Sequence, residues 1–154
     1  MSDSVVENTV TEKLEPTAPD YTHEIEGVIG TMIPEGQTVQ AGHDPQEGYL
    51  WKFQYGSVEV YVQLTGQTDD DTLTVWSYVL SLPAKEEAKL MRQLLEMNWL
   101  KTFEAHFAIV DNRVVVVATR TVAELSPGEI ARAITLVANI ADDNDDALIA
   151  EFGQ

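Results

Sequence analysis

The sequence predicts an α+β domain in the order α-β-β-β-α-β-β-α, an antiparallel sheet with helices packed on it. Two pairs of strand-like runs carry the sheet. Trp51, Phe53 and Tyr55, then Val58, Val60, Val62 and Leu64, flank Gly56-Ser57, while runs 103–110 and 113–121 flank Asp111-Asn112. Two residues of turn chemistry between period-two runs mark antiparallel hairpins. Helical periodicity before, between and after these pairs supplies the rest of the order.

Composition sets the outer limits. A chain of 154 residues with 44% hydrophobic content fits one domain that buries about two thirds of its unfolded surface. No run of about 18 apolar residues is present, so no membrane-spanning helix is expected. The start, Met1-Ser2-Asp3-Ser4, lacks a basic stretch followed by an apolar one, so no secretory signal is expected. The absence of cysteine excludes disulfides and thiolate metal sites and agrees with a cytoplasmic protein. A net charge of −17 with a pI near 4.2 repels nucleic acid and anionic lipid. It favours basic partners or cations, or serves plain solubility.

Residues 1–20 read as a disordered acidic tail and residues 21–154 as a single domain. The tail holds Pro16, Pro19 and scattered apolar residues, too few to offset the entropy of ordering. Ile25, Val28, Ile29 and Met32 then fall at i, i+3, i+4 and i+7, the stripe of a short amphipathic helix. Asp20 or Thr22 suits its N-cap and Glu24 its positive end. Gly27 and Gly30 weaken it by about 1 kcal/mol each against alanine, so it is a helix only when docked. Residues 34–48, with Pro34, Gly36, Gly42, Pro45 and Gly48 and no period, read as a loop.

After the first hairpin, Asp69-Asp70-Asp71 reads as a loop before a long strand over 73–82. That strand is apolar on both faces, with Val75 and Val79 on one and Trp76, Tyr78 and Leu80 on the other. Such a strand is covered on both sides or serves an interface. Pro83 opens the middle helix, and Asn98 is placed where a left-handed residue ends it. Leu90, Met91, Leu94, Leu95 and Met97 spread over a wider sector than one core-facing stripe needs. In the second hairpin, Val114 to Val117 is continuous and β-branched, as in a strand inside a sheet. The last helix runs from Pro127 to about Phe152. Ser126 is its N-cap, Pro127 its first residue and Glu129 the partner in a capping box, with Leu125 and Ile130 as staple.

Leu-Leu-Glu-Met-Asn at the end of the middle helix and Leu-Ser-Pro-Gly-Glu before the last belong to a wider set of spaced positions. These are Leu82-Pro83, Leu94-Leu95, Asn98, Phe107, Arg120, Leu125-Ser126, Glu129-Ile130, Ala141-Asp142 and Phe152-Gly153. In order and spacing they resemble the YbjN family, which shares its fold with type III secretion chaperones, over residues 22–153. The resemblance implies a homodimer, protein binding, no known catalysis and the family's description as sensory-transduction regulators. The acidic tail and the 34–48 loop depart from the plainest secretion chaperones.

No catalytic constellation emerges, and no enzyme is expected. His23, His43 and His106 have no metal-ligand spacing, and no glycine-rich strand-to-helix turn offers a phosphate cradle. The run Asp142-Asp143-Asn144-Asp145-Asp146 places Asn144 and Asp146 as a calcium loop would. It also puts Ala147 where such a loop needs glycine and Gly153 where it needs a bidentate glutamate. Lying within a helical period, it reads as a solvated helix face. No cofactor or metal is therefore expected. The sequence points to a protein-binding module, chaperone-like or regulatory, that pairs with itself and with an unknown protein client, and binds neither nucleic acid nor membrane. The interface is expected at Trp76, Tyr78 and Leu80 on the long strand and at Leu90, Met91 and Leu94 on the middle helix. The alternative is an acidic cation-binding (calcium) or DNA-mimicking protein.

Overall fold

The computed structural model describes residues 20–154, so the tail expected over 1–20 lies, but for Asp20, outside the described residues. Helix α1 (Tyr21–Met32) starts at Asp20, whose carboxylate accepts the Thr22 N–H at 3.2 Å. Its Ile25 and Ile29 are buried, with Val28 and Met32 partly so, as the i, i+3, i+4 spacing predicts. Four strands follow: β1 (Gln40–Asp44), β2 (Gly48–Tyr55), β3 (Val58–Leu64) and β4 (Thr72–Ser81). Helix α2 (Glu87–Leu100), strands β5 (His106–Val110) and β6 (Arg113–Thr121), and helix α3 (Pro127–Phe152) complete the chain. One antiparallel sheet forms in the order β1-β2-β3-β4-β6-β5.

Helix α3 lies across β3, β4 and β6, α1 packs on α3 and β2, and α2 lies against β5. The core fills the space between helices and sheet, with Phe53, Val60, Val62, Leu73, Val75 and Val116 meeting Ile130, Ile134, Val137 and Phe152. Both hairpins fall where the turn residues put them. At Gly56 φ is +56°, and a Cβ there would strike the Asp142 side chain, so the turn favours glycine twice over. Asp111 and Asn112 both take positive φ, the geometry that matches the twist of paired strands. Strand β6 is flanked on both sides, as its unbroken valines predict. The α3 capping box is present in full, Ser126 Oγ accepting the Glu129 N–H and Glu129 Oε1 the Ser126 N–H.

Four expectations are corrected. The loop expected over 34–48 contains β1, an edge strand exposed along its length. Having no buried face, it shows no alternation, and only its backbone ladder with β2 defines it. The middle helix begins at Glu87 rather than Pro83. Pro83 follows a cis peptide bond and belongs to a turn, where the Glu87 carboxylate reaches back to the Ala84 N–H at 2.8 Å. Asn98 lies inside α2, which ends at Leu100. The strand expected from Phe103 starts only at His106, because Phe103 sits at φ +54° in a turn closed by Ala105 N–H to Thr102 C=O.

Candidate protein-docking surface

Helix α2 turns two neighbouring stripes in different directions. Leu90 and Leu94, one turn apart, are buried in the core. Met91, Leu95 and Trp99 repeat the same spacing about 100° around the helix, running from the half-buried Met91 beside the core to Leu95 and Trp99 in solvent. Leu95 is 69% exposed, Trp99 79% and Leu100 73%, and Phe103 in the following turn is 70% exposed. Beside them, a groove of about 410 Å3 between α2 and β5 is lined by Met91, Leu94, Leu95, Asn98, Phe107, Ala108 and Ile109. Ile109 and Val110 on β5 are exposed too. Side chains of this size exposed along one segment make it the candidate docking surface.

The same segment carries little net charge. Lys85, Lys89, Arg92 and Lys101 stand against Glu86, Glu87 and Glu96, so the helix region is net positive by one charge in a chain of −17. Its ion pairs, Lys89 with Glu151 at 3.0 Å and Arg92 with Glu96 at 3.5 Å, are solvent-exposed and add little stability. They do reduce the field that would repel a second acidic surface.

The expected interface residues do not form one patch. Leu80, Leu90 and Leu94 are buried within the chain's own core, and Met91 is half-buried at the rim of the α2–β5 groove. Trp76 and Tyr78 lie on the opposite face of the sheet, where no helix packs among the described residues. There Tyr61 stacks on Trp76 at 5.3 Å, Tyr78 meets Tyr61 edge-on at 5.6 Å, and Lys52 and Arg113 lie over Tyr61 and Tyr78. The exposed group Leu95, Trp99, Leu100 and Phe103 is absent from the sequence-based set. For Leu95 and Trp99 the signal is the second i, i+4 stripe beside Leu90 and Leu94.

The acidic clusters have structural roles. Asp71 accepts from Thr65 Oγ1 at 2.9 Å and from Thr68 N and Oγ1 at 3.0 and 2.8 Å, tying its own loop. The Thr68 amide, then the Thr68 and Thr65 hydroxyls, hold its carboxyl below the ordinary range. In α3 the run 142–146 is not the uniformly solvated face expected from its period. Asp142 accepts the Ser57 N–H at 2.9 Å, and Asp145 is buried beside the Ser57 hydroxyl. Among the described residues, no three His, Cys, Asp or Glu side chains converge as a metal site, and no helix is long and apolar enough to cross a membrane.

The family model of YbjN, described as "Putative bacterial sensory transduction regulator", matches residues 26–150. No curated protein matches the chain. Among solved structures, the chain is similar to one in the crystal structure of the ExsC–ExsE complex, with a TM-score of 0.60 at 17% identity. That match covers 87% of this chain and 97% of the other. At such identity the likeness is one of fold.

Proposed function

The chain belongs to the YbjN family, and from that premise we propose that it is a non-enzymatic protein-binding module, chaperone-like or regulatory, that acts as a cytoplasmic homodimer. One observation carries this reading: Leu95, Trp99 and Leu100 stand exposed on helix α2, with Phe103 exposed in the turn after it, and the stretch 85–103 carries a net charge of +1 in a chain of −17. Apolar surface of this kind gains from burial roughly in proportion to its area. Two copies at −17 each repel least where their local charge is smallest. Pairing about a two-fold axis covers the patch with its own copy, the commonest symmetric solution. The fold likeness to a chain of a two-protein complex supports a polypeptide client beside the second copy, and the half-buried Trp76 and Tyr78 offer it a surface on the far side of the sheet.

Light scattering over a concentration series tests the pairing. A mass that stays near 17.1 kDa on concentrating overturns the homodimer. For the client, pull-down from the source cytosol should enrich one polypeptide reproducibly, and a blank result overturns the binding role.

A further inference from the structure

A cleft of about 450 Å3 opens where β4 outruns its neighbour. Strand β3 pairs with β4 only from Leu64 and Leu73 to Tyr61 and Trp76, and β4 continues to Ser81 with a register shift between Tyr78 and Leu80. Val79, Leu80, Pro83 and Ile149 make the cleft's apolar walls; Arg113, reaching in from the sheet face of Tyr78, and Asp145, from α3, are its charged side chains, and Gln154 lies at its margin.

Each of these charges lacks a counterpart. Arg113 stacks its guanidinium over the Tyr78 ring at 3.5 Å and has no hydrogen-bond acceptor or ion-pair partner among the described residues. Stacking occupies the guanidinium's face and leaves its N–H edge open to an anion. In a chain with 26 Asp and Glu against nine Lys and Arg, carboxylates are abundant, so an arginine that meets none is informative. Asp145 shows the converse. It is 5% exposed, and its two oxygens meet only Ser57 Oγ, at 2.9 and 2.8 Å. That hydroxyl has one proton to give and also lies 3.0 Å from Asp142 Oδ1. A buried carboxylate is ordinarily met by a cation or by several donors.

We propose that the cleft binds a small zwitterion of the amino-acid class. Its carboxylate meets the Arg113 edge, its ammonium meets Asp145, and its carbon chain lies on Val79, Leu80, Pro83 and Ile149. Asp145 disfavours a simple anion and Arg113 a simple cation, so a molecule carrying both charges is the electrostatic match. The volume falls in the range of small-ligand pockets, and the site is independent of the α2 docking surface.

Thermal shift and calorimetry on the full chain test this with L-leucine, L-methionine, L-phenylalanine and 5-aminopentanoate as probes. At least one should raise the unfolding temperature in a concentration-dependent way. N-acetyl-L-leucine, which lacks the ammonium, and L-leucinamide, which lacks the carboxylate, should bind at least about tenfold more weakly than leucine, the loss typical of one charge-assisted hydrogen bond. Arg113→Gln and Asp145→Asn should each weaken binding by a similar factor. The proposal is overturned if no probe shifts the transition, as when Arg113 and Asp145 simply pair with each other in solution. It is equally overturned if the singly charged derivatives bind as well as leucine, a comparison that needs no variant to fold.

Discussion

The side chain of Asn98 holds the peptide of Phe107: its Oδ1 accepts the Phe107 N–H at 2.8 Å and its Nδ2 donates to the Phe107 C=O at 3.3 Å. A carboxamide offers one donor and one acceptor at the spacing of a peptide unit, so Asn98 occupies the place a further strand would take on β5. Asn98→Ala should therefore cost about 1–2 kcal/mol, since both part-buried backbone groups lose their partner. Chemical denaturation measures it, and an unchanged midpoint would show that the clasp is dispensable. Asn98→Asp, which keeps the acceptor and loses the donor, is expected to retain the Phe107 N–H bond alone.

The capping box at α3 predicts a second stability effect. Ser126→Ala removes the acceptor of the Glu129 N–H at a helix end and should cost about 1 kcal/mol. Glu129 also pairs with Arg120 of β6, so the helix start is tied to the sheet as well as to its own cap. A denaturation midpoint equal to that of the parent chain would place the effective helix start elsewhere.

These two asparagine and serine positions show what was legible in the sequence. Ser126, Pro127 and Glu129 act within four residues, so the pattern alone located the start of α3, and its apolar period carried it to Phe152. Asn98 was visible as a signal, but its partner lies nine residues on and across a turn. Its role therefore depends on a tertiary contact that the helix-ending habit of asparagine does not report. Strand β1 escaped detection because a fully exposed edge strand has no apolar face to reveal it. The docking surface was half legible. The breadth of the α2 sector showed a surplus of apolar side chains, but helix rotation decides which stripe is buried, and the core took Leu90 and Leu94 while leaving Leu95 and Trp99 outside.

Acid should weaken the fold through carboxyls that the native structure holds below their ordinary range. Asp71 is lowered chiefly by the Thr68 amide, and Glu129 chiefly by the Ser126 amide. A carboxyl with a depressed folded-state pKa contributes stability that is present above its unfolded value and lost as pH falls through the folded one. Stability should therefore hold at neutral pH and decline below about pH 4. Asp71→Asn should flatten part of that decline. Parallel curves of unfolding midpoint against pH for the two chains would show that Asp71 contributes nothing to it.

The sharpest test of the docking surface is Trp99→Glu. Trp99 is 79% exposed and belongs to no buried cluster, so its replacement leaves the core of the single chain intact. In a homodimer built on α2, the same change removes the largest apolar group of the patch and places a carboxylate in each copy where the local charge had been smallest. The mass by light scattering should fall toward 17.1 kDa at concentrations where the parent chain is paired, with the circular dichroism spectrum unchanged. Leu50→Glu, an exposed position on β2, should leave the pairing intact. Added salt sharpens the distinction, because screening relieves the repulsion between two acidic chains but does not restore lost apolar contact. The parent should pair at least as well in high salt, and Trp99→Glu should remain largely dissociated. If Trp99→Glu pairs as tightly as the parent, the interface lies elsewhere on the chain and the α2 patch is free for the client.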